Sequence, residues 1–272
     1  MKILLNLVQF DIKTNDPIHN IDRINKLLEN VSFEKNDQKY KQIIIVPELF
    51  TTGFGNFVEI KNCAIDFSNL NNLALEQTEH LKNLANKYNA LILGSIPELK
   101  NKSLYNSCIR ISTDSIEVVY RKMHLFGPMD EPEFFTNGNT LLNFEYSSLN
   151  IGTQICYDLR FPEAARKLSA DGASIIFYTA DWPSKRGNHW NHLLKARAIE
   201  NQCFVIGVNR VGSDKWGEYF GRSQIISPMG EILGSLKQEE SCLTKMIDVT
   251  KEIESSRLKF NVHKDRRITL ET

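Results

Sequence analysis

The stretch NIGTQICYDLRFPEAARKL, residues 150–168, decides how this chain is read. A short apolar run leads to Cys156, and a helix opens near Pro162, a residue favoured in the first helical turn. Cys156 therefore stands at a corner between a strand and a helix. Free cysteine is among the most often buried residue types and can simply fill space. Such a corner also lifts a side chain out of a sheet, with backbone N–H groups open to an anion. The companions of Cys156 elsewhere in the chain separate these two readings.

Working outward, KILLNLVQF (2–10) and KQIIIVPELF (41–50) are short, apolar and rich in branched residues, as buried strands are. Between them Ile21, Ile24, Leu27 and Leu28 fall on one helical face. A helix from about Ala74 to Tyr88 precedes the strand ALILGSIPE (90–98), and SLYNSCIRIS (103–112) and SIEVVYRK (115–122) read as neighbours joined by a turn. After Cys156 come a helix, the strand ASIIFYTADW (173–182), the helix NHWNHLLKARAIENQ (188–202) and the strand FVIGVNRVG (204–212). RSQIISPMGEILGSL (222–236) and SCLTKMIDV (241–249) read as antiparallel strands with a turn at Pro228–Gly230. TKEIESSRLKF (250–260) closes as a helix with Thr250 as its N-cap. The order predicts an α/β protein whose helices cover the outer faces of its sheet or sheets. No linker or low-complexity stretch divides residues 1–272, which read as a single domain.

Composition narrows the function. Lys+Arg and Asp+Glu both count 33, so the formal net charge is zero and no basic field recruits nucleic acid or an anionic membrane. The opening MKILLNLVQF is too short an apolar run for a signal peptide, and no run of 18 apolar residues spans a membrane. Five scattered cysteines (Cys63, Cys108, Cys156, Cys203 and Cys242) lack C-x-x-C spacing, which argues against a disulfide framework or a zinc site. A reducing cytoplasm and a small-molecule substrate fit best.

Three apolar strands end on reactive side chains. IIIVPELF delivers Glu48, EVVYRKMHLF delivers Lys122, and IGTQICYDLRF delivers Cys156. Strand ends are the usual donors to a site above an α/β sheet. A carboxylate, an ammonium and a thiol together suffice for acyl transfer: base, oxyanion partner and nucleophile. Taken singly, each has a bland alternative as a surface charge or core filler.

Together these motifs resemble the nitrilase superfamily of carbon–nitrogen hydrolases. VPELFTTGF (46–54), YRKMHLF (120–126) and GTQICYDLRFPE (152–163) match the family's three motifs in order, and the similarity runs from Met1 to the helix near Thr250. The resemblance implies a four-layer α-β-β-α sandwich and a cofactor-free hydrolase working as a homodimer. It places the general base at Glu48, the lysine at Lys122 and the nucleophile at Cys156, with the backbone N–H of Tyr157 helping to hold the oxyanion. In GPMDEPEFFTNGN (127–139) it places a supporting glutamate at Glu131, at the matching distance from Gly138 and flanked by Asp130 and Glu133. Residues 179–212 and CYDLRFPE are most similar to the omega-amidases, which hydrolyse the terminal amide of 2-oxoglutaramate and 2-oxosuccinamate.

An omega-amide bears a carboxylate, which needs a cation or oriented N–H donors. Arg160, Lys185 and Arg186 are the candidates, and Trp182 either walls the pocket or packs in the core. His189 and His192 lie three apart on one helix without a third ligand, so no metal site is expected. His124, two residues past Lys122, is disfavoured as a base. The rival readings are another acyl specificity (a carbamoyl amide or a nitrile) and a catalytically inactive binding protein of the same fold.

Overall fold

The computed structural model describes residues 1–31, 40–55 and 57–267. Two six-stranded sheets form its centre. The first is built from β1 (Lys2–Gln9), β2 (Lys41–Ile45), β3 (Ala90–Lys100), β4 (Ser103–Ile111) and β5 (Ile116–Arg121). The second takes β6 (Phe144–Tyr146), β7 (Leu149–Ile155), β8 (Ile175–Ala180) and β9 (Phe204–Asn209). A two-stranded ribbon, β10 (Val211–Asp214) and β11 (Gly217–Phe220), follows, and β12 (Gln224–Ile226) and β13 (Ile232–Ser235) complete the second sheet. Finally β14 (Ser241–Asp248) returns to the first sheet beside β1.

Period-two alternation explains why central strands read as unbroken apolar runs: both faces are buried. Ile43 and Ile45 of β2 face the second sheet with Ile3, Leu5 and Leu7, meeting Ile175, Phe177, Ile206 and Val208. Ile44 turns the other way, under the helices α1 (Pro17–Glu29) and α3 (Asn72–Tyr88), which flank the short α2 (Phe57–Cys63) in sequence. On the far side Ile176 and Tyr178 meet α5 (Pro162–Ala170) and α6 (Gly187–Asn201). The short α4 (Glu131–Phe134) precedes them in the chain, and α7 (Val249–Lys259) and α8 (Val262–Asp265) follow. The layers run α-β-β-α, as expected.

Three local readings are corrected. The hairpin at Pro228–Gly230 exists as β12–β13, but residues 241–248 do not pair with it; β14 joins β1 antiparallel, with Lys2 opposite Asp248. That crossing carries Ile247 into the apolar layer between the sheets. The helix after it is capped two residues earlier than expected, by Asp248, whose carboxylate accepts from Lys251 N–H at 3.3 Å. Thr250 instead accepts a hydrogen bond from the Met1 amino group at 2.8 Å. The strand of residues 41–50 stops at Ile45, because Pro47 has no N–H for a ladder and Glu48 must leave the sheet.

Candidate active site

Glu48, Lys122 and Cys156 converge where β2, β5 and β7 end. Val46 N–H still bonds Leu93 O at 2.8 Å, and the chain then turns through Leu49 at φ +40°. Lys122 is tied to the first sheet by its N–H to Asn106 O at 2.9 Å. Cys156 itself adopts φ +46°, a left-handed conformation rare for a non-glycine residue and found at functional turns. A short 3₁₀ turn over Cys156–Arg160 precedes α5, and Tyr157 is its second residue, where N–H groups have no acceptor within the turn.

The charges behind this corner form a closed set. Lys122 Nζ donates to Glu48 Oε1 at 2.8 Å and to Glu131 Oε1 and Oε2 at 2.9 and 2.7 Å. Glu131 also accepts from Phe126 N–H at 2.7 Å, and Asn106 Nδ2 bridges Glu48 at 2.8 Å and Glu131 at 3.2 Å. Asp181 N–H donates to Glu48 Oε2 at 2.9 Å. All of these side chains are buried. Burial alone would lower the Lys122 pKa, but Glu131 and Glu48 outweigh it and raise it above the ordinary lysine range. Burial raises the Glu131 pKa, opposed by the ammonium. Glu131 is the residue brought in, whereas Asp130 and Glu133 are exposed. Gly138 is required because its backbone lies against Arg121: an added Cβ would meet Arg121 O at 2.1 Å, while its N–H bonds Lys122 O at 2.8 Å.

Burial raises the Cys156 thiol well above its ordinary pKa, with the Glu48 charge adding to it and Lys122 opposing. The other buried thiols are raised too, Cys108 and Cys203 to about 12. What distinguishes Cys156 is therefore its strained corner, its two charged neighbours and its place on a cavity. Lys122, Cys156, Asp181 and Trp182 line the deep end of that cavity with buried side chains, and Tyr157, Arg160 and Arg186 line it with half-buried ones toward its mouth, with Phe54, Phe126 and Met129 as apolar walls.

A model of carbon-nitrogen hydrolases matches residues 4–255. The chain belongs to the carbon–nitrogen hydrolase family. It is 36% identical over 260 residues to a 2-oxoglutaramate amidase of Bacillus subtilis, covering 93% of this chain and 94% of that relative. It is also 36% identical to an omega-amidase, YafV, of Escherichia coli K12 over 196 residues, 72% of each chain. Among solved structures, a CN-hydrolase superfamily protein of Xanthomonas campestris, with an arsenic adduct in its active site, superposes with a TM-score of 0.86 at 29% identity over 100% of both chains.

In this carbon–nitrogen hydrolase the expected cation candidates divide. Arg160 lies 4.7 Å over the Trp182 ring and is 3.2 Å from His189 Nδ1. Arg186 lies 5.2 Å over Phe126. Both line the cavity. Lys185 does not: it lines only a neighbouring surface depression with Asn188, Glu218 and Arg222, whereas Arg186 borders both. Trp182 does both things asked of it, walling the cavity and packing 5.5 Å from Trp190, while its Nε1–H fixes Arg186 O at 2.9 Å. His192 Nδ1 is 2.6 Å from Asn188 O, and among the described residues no three His, Cys, Asp or Glu gather as metal ligands. His124 is not on a strand face. It lies beyond the end of β5, stacks on Phe161 with ring centroids 3.7 Å apart, and holds Asp158.

Sequence reasoning missed Asn106 and Asp181. Asp181 ends the apolar run of β8 as Glu48 and Cys156 end theirs, so the same strand-end rule would have found it. Its carboxyl oxygens have no hydrogen-bond partner among the described residues, Arg210 Nη1 standing 3.7 Å away, and burial raises its pKa well above the ordinary range. Asn106, a buried amide within an apolar strand, carried a weaker signal.

Proposed function

We propose that this carbon–nitrogen hydrolase releases ammonia from the terminal amide of a short dicarboxylic acid monoamide of the 2-oxoglutaramate type, through a thioester on Cys156. The observation that carries the substrate class is the mouth of the cavity. Arg160 and Arg186 both line it, and among the described residues neither forms an ion pair with a carboxylate. Burial lowers the Arg160 pKa, and the nearby Arg186 charge lowers it further. Two guanidiniums held close without a counter-ion suit a substrate carboxylate, which each can bind with charge-assisted hydrogen bonds. The names borne by the Bacillus and Escherichia relatives point to the same chemistry.

The mechanism assigns Glu48 as base, because the resting thiol is protonated and Glu48 is the carboxylate beside it. Glu48 takes the thiol proton as Sγ attacks the amide carbon. Lys122 Nζ and the Tyr157 N–H meet the oxyanion. Glu48 returns the proton to the amide nitrogen, the C–N bond breaks, and ammonia departs. Water, deprotonated by Glu48, then attacks the thioester; the C–S bond breaks and the thiol is restored. Glu131 holds Lys122 and faces the amide end. No step calls for a cofactor. We carry the single catalytic unit over residues 1–272, the homodimer and the cytoplasmic setting in the same proposal; among the described residues no helix is long and apolar enough to cross a membrane.

The test compares ammonia release from the five-carbon dicarboxylic acid monoamide with that from the neutral amide of equal length, a ureido acid and a nitrile. Intact-mass measurement during turnover should find an acyl adduct on Cys156. Preference for the neutral amide, the ureido acid or the nitrile overturns the substrate class, and an adduct on another cysteine overturns the mechanism.

A further inference from the structure

Asp158, two residues past Cys156, is fully buried, yet no step above uses it. Its Oδ2 accepts from Tyr120 O–H at 2.8 Å and from Ile155 N–H at 3.0 Å. Its Oδ1 accepts from His124 N–H at 3.1 Å and lies 2.7 Å from His124 Nδ1. The Tyr120 hydroxyl oxygen in turn accepts from Met123 N–H at 3.1 Å. Two segments meet at this one carboxylate. Tyr120, Met123 and His124 surround Lys122 in sequence, and Ile155 and Asp158 flank Cys156. An acceptor-only group is what four converging donors require; an amide would turn two of its own N–H groups on some of them.

We infer that Asp158 is a positioning residue, a clasp that fixes the Lys122 segment against the Cys156 turn and so sets the ammonium-to-thiol geometry in which the oxyanion forms. The bond to Ile155 N–H spans the cysteine and holds it at φ +46°, a conformation that persists only where its surroundings impose it. The Asp158 carbonyl closes the same turn by accepting from Phe161 N–H at 3.0 Å. Phe161 then stacks on His124, so backbone, carboxylate and ring close one loop around the corner. A plain stabilising role for a buried carboxylate needs no such division of its bonds between the two segments that carry the reactive groups.

The inference rests on the Glu48–Lys122–Cys156 reading and is tested by a double-mutant cycle. Asp158→Asn should lower kcat about a hundredfold, the scale of a small misplacement of reacting groups, with KM for the monoamide little changed because Arg160 and Arg186 are untouched. In the Lys122→Gln background, with acylation followed in single turnover at excess enzyme, the same substitution should cost less than about threefold, since residues acting as a unit are not additive. His124→Phe removes one bond to Asp158, and Tyr120→Phe removes one bond to Asp158 together with the Met123 N–H bond, while each keeps a ring. They should lower kcat about three- to tenfold, the scale of a single hydrogen bond, and lose that effect without Lys122. They carry the cycle should Asp158→Asn fail to fold. Additive losses, or a fall in melting temperature with kcat per folded molecule unchanged, overturn the clasp. Failure of the unmutated protein to hydrolyse any amide overturns the underlying reading instead.

Discussion

The two ends of the cavity are built on opposite plans. At the deep end Lys122 is answered by carboxylate oxygens at 2.7–2.9 Å, and both glutamates hold further donors. At the mouth, Arg160 and Arg186 rest on aromatic faces. Around Lys122 the donors and acceptors are paired before a substrate arrives, the Asp181 carboxyl beside them being the exception, so these dipoles need no reorganisation as charge develops on the amide oxygen in the proposed reaction. The mouth holds positive charge that, in the proposed function, a substrate carboxylate completes. Chemistry is assigned to the saturated end and choice of substrate to the unsaturated one.

The largest effect should come from breaking the deep end. Lys122→Gln leaves Glu48 and Glu131 buried without their ammonium. It should cost about 3–5 kcal/mol of stability, the scale for opening a buried pair, and lower kcat roughly 10²–10³-fold or more. Adding Glu131→Gln rebalances the charge, so urea unfolding should recover part of the stability while turnover stays low. Because the Lys122 pKa is raised in the folded state, its contribution is fully present below the unfolded value of about 10.4 and fades only as pH climbs through the higher folded one. The stability gap between the unmutated protein and Lys122→Gln should therefore stay level through neutral pH and narrow only in strong alkali. Near-normal turnover in either variant would remove Lys122 from the chemistry.

Next in size is the mouth. Arg160→Ala and Arg186→Ala should each lower kcat/KM for the monoamide by about ten- to a hundredfold, a charge-assisted hydrogen bond being worth about 1.5–3 kcal/mol. The neutral amide of equal length should change little. Equal losses on both substrates would show that the arginine supports the fold rather than the choice of substrate, and would erase the contrast between the two ends.

This contrast also explains what could be read from the sequence. Glu48, Lys122 and Cys156 each close an apolar run, so the strand pattern and the resemblance located them together, and the layers followed from alternating burial in strands such as β2 and β8. Partners set by tertiary approach left little mark. Nothing local says that Asn106, within β4, bridges two glutamates that lie 58 and 25 positions away. Nor does spacing reveal that Trp182 Nε1–H fixes the Arg186 carbonyl, or that β14 crosses to the first sheet. Lys185 and Arg186 are adjacent and alike in charge; only the turn that carries them tells one from the other.

Two smaller effects sharpen the mouth. Trp182→Phe keeps a ring under Arg160 but deletes the bond to Arg186 O. Loosening that turn should raise KM for the monoamide about threefold to tenfold, the scale of a single hydrogen bond of about 1 kcal/mol, and leave kcat near its original value. A fall in kcat with KM unchanged would move Trp182 from the support of the mouth to that of Cys156.

The smallest effect is expected at Lys185. Charge alone would make it a carboxylate partner equal to Arg186, since both stand in one short turn. The structure separates them: Arg186 lines the Cys156 cavity, whereas Lys185 is found only on the neighbouring depression, with Glu218 on the same surface. An exposed charge on that far side acts on the bound carboxylate only through water and salt, where such interactions are worth well under about 1 kcal/mol. Lys185→Ala should thus change kcat/KM for the monoamide less than about threefold, and adding salt should shrink even that. The neutral amide should show no change at all. A tenfold loss confined to the charged substrate would place Lys185 on the carboxylate, and the turn Ser184–Arg186 would then have to present both of its cations to the Cys156 cavity.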